Sequence, residues 1–311
     1  MVQQPAGPEE PGESDGQKSG RRVRYLQDEA APSAPRMVLG NALRHRRQAL
    51  GLKQEEVARR LGASPSKISR IEKGQHKFKE QDLLGFFSLY GISDPEEQRQ
   101  LEELARTANQ PTWYQKRSTA AQRYLQAVVS FEDMAQRIRS YESQHLHGLL
   151  QTPEYARALI ERGRGSRSRH ESLLQLRKER QARFAAATDK RLICVIDEAA
   201  LRRLVGSPQI MRRQVEHVID LSANPRYVIR LAELNRYNLP VELCTTTLFD
   251  FAGRILPTVA YAESFDGGLI IQDEESVDRR ERAFDALRAA SLTPPKTVQK
   301  LRDLLASNYC R

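Results

Sequence analysis

The sequence predicts an α+β protein whose first third is all helix and whose remainder mixes helices with a sheet. Three observations carry this. Residues 37–108 place apolar side chains at helical spacing, interrupted at short intervals by Gly, Ser and Pro. Five runs between 192 and 271 are rich in β-branched and aromatic residues and bounded by turn residues. One long helical pattern, about 208–222, separates the first two runs and short connections join the last three, which implies a mixed, largely antiparallel sheet.

Residues 1–35 are Pro-, Gly-, Ser- and Glu-rich with almost no apolar pattern, so a disordered tail is expected. Inside it, Arg21-Arg22-Val23-Arg24 reads as a solvated linker ahead of a groove-reaching arm. Leu39, Leu43 and Leu50 then mark one helix face ending at Gly51. A second helix opens near Gln54, carries Val57, Ala58 and Leu61, and breaks at Gly62-Ala63. Ser64 as cap and Pro65 as first residue reopen a helix through Ile68 and Ile71 to Gly74. Helices over 80–90 and 94–108 complete an all-α, five-helix domain at 36–108, and a linker over 109–119 surrounds Asn109-Gln110-Pro111-Thr112. The α+β body spans 120–311. Helical patterns there cover 120–140, 152–162 and 170–187; strands are expected at 192–196, 227–231, 245–249, 258–261 and 268–271; helices near 275–290 and 295–308 close the chain. There is no internal repeat.

Composition narrows the function. Apolar residues make up 39% of 311, and no stretch approaches the ~20 apolar residues of a membrane span. The first ten residues have neither a basic start nor an apolar run, so no secretory signal and a cytoplasmic location are expected. Cys194, Cys244 and Cys310 are far apart and odd in number, which argues for reduced thiols and against a disulfide framework or thiolate zinc site. The net charge of +10 invites a polyanion. It is concentrated: residues 36–80 hold twelve basic and four acidic side chains, residues 81–311 thirty-four and thirty. Arg outnumbers Lys 39 to 11, a ratio that GC-rich coding explains more readily than phosphate recognition.

The spacing from Gln54 has a mechanical reason. Two helices joined by a short turn cross steeply only where no bulky side chain stands at the crossing and the turn admits a left-handed residue, conditions that Ala58 and Gly62 meet. Ile68 and Ile71 face inward, leaving Ser66, Lys67, Ser69 and Arg70 toward solvent or a groove. The run Leu52-Lys53-Gln54-Glu55-Glu56-Val57-Ala58-Arg59-Arg60-Leu61-Gly62-Ala63-Ser64-Pro65-Ser66-Lys67-Ile68-Ser69-Arg70-Ile71-Glu72-Lys73-Gly74 resembles the helix-turn-helix of the Xre/phage-repressor family, the likeness covering about 36–92. The resemblance implies that Gln54 binds a phosphate and orients the reading helix. It implies groove contacts from Ser64, Ser66, Lys67 and Arg70, with Arg70 best placed for a guanine edge. Pro65 stands where phage repressors often place a base-reading glutamine. Lys73, Lys77 and Lys79 are expected as backbone clamps, with Arg44, Arg46 and Arg47 serving the flanking strand.

The body resembles a second family. Ile138-Arg139-Ser140-Tyr141-Glu142, Gly148-Leu149-Leu150-Gln151-Thr152-Pro153-Glu154-Tyr155, Asp197-Glu198-Ala199-Ala200-Leu201 and Leu287-Arg288-Ala289-Ala290-Ser291-Leu292 are similar to the C-terminal domain that follows Xre-type modules in actinobacterial, antitoxin-like regulators. That implies a transcriptional regulator, often encoded beside a small partner protein. Catalysis finds no support. Asp197 and Glu198 point to opposite faces if both lie on a strand, and Asp197 is better read as a helix cap. His145 and His147 lack ligand-spaced partners, no phosphate loop or nucleophile elbow is present, and the basic Arg162–Arg169 stretch reads as a solvated loop.

The expectation is a sequence-specific DNA-binding transcriptional regulator, not an enzyme, that reads the major groove of double-stranded DNA with the helix at 65–73 and acts as a homodimer without cofactor or metal. Two alternatives stand: an antitoxin-like protein whose body binds a small protein encoded nearby, and a ligand-responsive repressor.

Overall fold

A computed structural model describes residues 23–25, 33–110, 123–163, 165–235, 244–253, 256–264 and 267–308. The helical domain comprises α1 (Ala34–Ala49), α2 (Gln54–Arg60), α3 (Pro65–Glu72), α4 (Glu80–Tyr90) and α5 (Pro95–Asn109). Local chemistry places most of the boundaries. Ser64 Oγ accepts from the Lys67 amide at 3.1 Å and Pro65 fills the first position of α3, where an amide proton would go unused. Asp94 caps α5 through the Glu96 amide. Val57, Ala58, Ile68, Ile71, Leu83 and Phe87 lie in the interior of this domain, as the apolar spacing predicts, together with Phe86, whereas Leu84 is exposed.

The body begins with α6 (Arg123–Met134) and β2 (Arg137–Glu142), followed by a 3-10 turn (Gly148–Leu150), α7 (Pro153–Ile160) and α8 (Arg167–Ala186). Then come β3 (Arg191–Asp197), α9 (Glu198–Arg202), α10 (Pro208–Leu221), β4 (Tyr227–Ala232), β5 (Thr246–Asp250), β6 (Val259–Ser264), β7 (Gly267–Ile271), α11 (Glu274–Ala290) and α12 (Pro294–Asn308). With β1 (Val23–Tyr25), the strands make one mixed sheet in the order β1-β7-β6-β5-β2-β3-β4. The pairs β2–β3 and β3–β4 are parallel and span helical crossovers, whereas β5, β6 and β7 form an antiparallel meander and β2 also pairs antiparallel with β5. Alternation along β3 sends Leu192, Cys194 and Ile196 to one face, and Ile193 and Val195 to the other, where Val277, Phe284 and Leu287 of α11 cover them. The first face belongs to a larger core that runs without a break into the helical domain through Ala127, Val128 and Phe131 of α6.

Two expectations are corrected. The helix anticipated over 120–140 ends at Met134, and 137–142 is a strand near the middle of the sheet. Its apolar signal is hidden because Arg139 and Glu142 are buried there; Arg139 donates to Asp250 of β5 at 2.6 and 2.9 Å and also pairs with Glu281 of α11. In the segment expected to be an unstructured tail, Val23–Tyr25 adds an antiparallel edge strand to β7, and α1 already starts at Ala34. The rest of 1–32, including Arg21 and Arg22, lies outside the described residues, as do 111–122 of the linker and Cys310.

Candidate nucleic-acid interface

The α2–α3 unit is built as its sequence requires. Gly62 takes a φ of 59°, in the left-handed region, and the Ala63 amide returns to the Ala58 carbonyl at 2.8 Å, closing the turn. Ile68 and Ile71 are buried, Ser69 is half-buried, and Ser66, Arg70 and Lys73 are exposed. Lys77 and Lys79, just beyond α3, are exposed as well. His76, which the sequence pattern did not single out, lies among these cations. Burial pushes its imidazole pKa down, Lys67, Arg70 and Lys79 push it further, and Asp82 opposes them.

What holds this edge in place is a carboxylate inside the domain. Glu72, whose side chain has no exposed surface, receives a fork from Arg47 (Nε to Oε1, 2.6 Å; Nη2 to Oε2, 3.1 Å) and a third bond from Gln54 Nε2 at 2.7 Å. The start of α2, the end of α3 and the last turn of α1 therefore meet at one buried group. Gly40 completes the packing: a Cβ at this position would overlap the Ile71 carbonyl oxygen and stand 2.8 Å from that of Glu72, so α1 and α3 approach along a backbone surface.

The structure separates the expected contact residues into two groups. Ser64 caps α3 and stays exposed, and Ser66, Arg70, Lys73 and Lys77 share the outer edge with Lys79. Gln54 is half-buried with its amide engaged by Glu72. Lys67 does not stand free: its Nζ donates to Asp82 of α4 at 2.6 Å. Arg44 is half-buried and turned away from the reading edge. It lies beside Gln272 and Asp273 where the helical domain meets the body, with Nη1 buried and lacking a partner among the described residues. Arg46 is exposed but pairs with Glu97, and Arg47 is committed to Glu72, so none of the three arginines expected at the flanking strand stands as a free exposed cation.

Two family models match the chain: a helix-turn-helix domain over residues 38–101, and a domain of unknown function, DUF5753, over 125–303, more than half of the sequence. The chain belongs to the DUF5753 family. Nothing matches it among curated proteins or solved structures.

Within the DUF5753 region, residues that carried the sequence resemblance serve the packing. Tyr141 Oη donates to Asp197 at 2.8 Å, and Asp197 caps α9 through the Ala199 amide, which is the cap read from the sequence. Glu198 points elsewhere, to Arg202 and the Leu234 amide. His147 is buried, accepts from the Leu149 amide at Nδ1, and is pushed down to about 4 by that burial. Arg169, expected in a solvated loop, sits in the first turn of α8 with a buried Nε; Arg164 lies outside the described residues. Among the described residues no group of His, Cys, Asp and Glu is arranged to hold a metal, and no helix is long and apolar enough to cross a membrane.

Proposed function

We propose that this protein is a sequence-specific DNA-binding transcriptional regulator, not an enzyme, that reads the major groove with α3 and acts as a homodimer. The observation that carries the reading is the outer edge of the helix-turn-helix. Arg70 on α3, Lys73 at its C-terminal cap and Lys77 and Lys79 just beyond are exposed there without an ion-pair partner among the described residues, while the inner face of α3 is locked by Ile68, Ile71 and Glu72. A rigid helix with an uncompensated basic edge is what groove insertion needs: fixed geometry for base edges, and cations that displace counterions from phosphates. One such head covers few base pairs, so two heads about 34 Å apart on a two-fold operator supply the affinity. The likeness to Xre-type repressors and antitoxin-like regulators supports control of the protein's own gene or a neighbouring one. A ligand-responsive version of this regulator is favoured by a large cavity in the body, one wall of which, α6, also packs on α1.

The test is selection of bound DNA from a random pool by the full chain, followed by titration of the selected operator. Arg70→Ala should cost about 1–3 kcal/mol on the operator and less on random DNA, whereas Lys77→Ala should weaken both alike and reduce the salt slope by about one. Equal losses from both variants on both DNAs would refute the assigned roles. A folded protein that enriches no sequence would refute the reading as a whole.

A further inference from the structure

On the sheet face opposite α11, the body carries a cavity of about 880 Å³, open to solvent at a rim that includes Arg162 and Glu263 and within the range that accommodates drug-sized ligands. Glu142 and Tyr261 contribute to its floor, from β2 and β6. One wall is a single face of α8, where Arg169, His170, Leu173, Arg177 and Arg180 recur at helical spacing. Leu125 and Val128 of α6 and Leu159 and Ile160 of α7 add apolar surface.

The polar groups of this cavity are unequally satisfied. Arg180 is matched, its guanidinium forking onto Glu132 at 2.7 and 2.5 Å. Arg177 is not: its acceptor is the neutral side-chain oxygen of Gln151, and no carboxylate lies within ion-pair distance among the described residues. An arginine stays protonated throughout the physiological range, so Arg177 is a partly buried cation with no carboxylate in direct contact, Glu132 and Glu263 acting on it only from a distance. Three further polar atoms bordering the cavity are buried without a partner among the described residues: Arg169 Nε, His170 Nε2 and His145 Nδ1. The acids present do not restore balance. Glu132 is committed to Arg180, and burial raises the Glu142 pKa to about 8, leaving that carboxyl largely protonated at neutral pH. Glu263, at the exposed rim, faces Arg162, Arg169 and Arg177.

We propose that this cavity binds an amphipathic organic anion, its carboxylate or phosphate head anchored by Arg177 and its apolar body lying along Leu125, Val128 and Leu173. Arg169, His170 and His145 supply the remaining polar contacts. The assignment names the ligand class for the ligand-responsive form of the proposed regulator. The site itself requires no DNA-reading role, and its test contains no DNA.

Isothermal titration of the full chain with decanoate, decyl phosphate, decanol and inorganic phosphate tests it. At least one of the two amphipathic anions should bind at one per chain, and the stronger identifies the preferred head. Decanol and inorganic phosphate should each bind at least tenfold more weakly than that anion. Arg177→Met should weaken binding at least tenfold, and Arg169→Leu by severalfold; circular dichroism and the melting temperature without probe establish that each variant is folded. The second variant stands in if the first does not fold. Failure of both anions at millimolar concentration, decanol binding as tightly as either, or folded variants binding like the parent would each overturn the proposal. None of those results bears on operator selection, so the two readings fail separately.

Discussion

A carboxylate as completely covered as Glu72 persists in a protein interior because three donors, two from Arg47 and one from Gln54, replace the water it has lost. Glu142 solves the same problem differently. It accepts from Ser140 but has no cation within hydrogen-bond reach among the described residues, and burial raises its pKa to about 8. The folded state thus holds a proton that the unfolded chain, with an ordinary carboxyl near 4.3, releases earlier. The stabilising contribution of protonated Glu142 is fully present below about pH 4.3 and withdrawn as pH rises toward about 8, at up to roughly 1.4 kcal/mol per pH unit. His147 works in the other direction: its imidazole is pushed down to about 4, so stability is lost as pH falls from about 6.5 toward 4. Urea denaturation at pH 5 and pH 8 separates the two. Glu142→Gln should gain stability over the parent at pH 8 and lose that advantage at pH 5; an advantage equal at both pH values would show that Glu142 does not titrate in this range.

Among the helices, the spacing between α1 and α3 sets how far the basic edge projects, and two glycines in helix interiors make opposite predictions. Alanine favours a helix interior over glycine by about 0.8–1 kcal/mol. At Gly85 in α4, an added methyl would meet only the far end of the Leu61 side chain, which can turn aside, so Gly85→Ala should be neutral or stabilising by up to about 1 kcal/mol. At Gly40 in α1 the same methyl would meet the carbonyl oxygens of Ile71 and Glu72, which move only with the backbone of α3. Gly40→Ala should therefore destabilise by about 1–3 kcal/mol and displace the reading helix, lowering operator affinity as well. Thermal melts of the two variants check the opposite signs. The chain signalled both glycines only as glycines: which one faces a carbonyl depends on a helix packed against it from another part of the sequence.

For the molecule as a whole, the sheet is tied together at a buried charge. Arg139 of β2 reaches Asp250 of β5 and Glu281 of α11, joining two strands and the helix that covers them. Arg137, two residues earlier on the same strand, donates to the same Asp250 at 2.7 Å, but its side chain is 52% exposed against 8% for Arg139. Removing Arg139 takes from Asp250, 13% exposed, the two bonds of its buried partner and leaves it only the exposed Arg137 as a cation, so Arg139→Ala should cost about 3 kcal/mol, whereas Arg137→Ala should cost at most about 1 kcal/mol. Denaturant titrations of the two variants decide this; equal costs would mean that burial of the Arg139 network contributes nothing. At the other end of the molecule, Gln272 Nε2 donates to the Met37 carbonyl at 3.1 Å and His45 stands 3.9 Å from Glu274. With the continuous apolar core at α6, these contacts join the helical domain to the body.

The five-helix domain was legible in its amino acids because each cue acts over a turn or two of chain. Ser64 and Asp94 cap the amides that follow them, Pro65 presets the first turn of α3, Gly62 turns left-handed, and Ile68 and Ile71 repeat at helical spacing. The strands from β3 to β7 were legible for the same reason, being apolar runs between turn residues. Strand β2 was not: with Arg139 and Glu142 inside, its pattern makes sense only beside Asp250 and Glu281, which meet Arg139 from β5 and α11. Tertiary contacts likewise removed Lys67 from the free edge by way of Asp82, and turned Arg44 toward the body and Arg46 and Arg47 onto interior carboxylates. They also placed α8's arginines around a cavity that no single segment encodes. Helix starts and turns depend on neighbours a few bonds away, whereas the state of a buried charge depends on a partner 15 to 111 residues distant, and folding alone brings the two together.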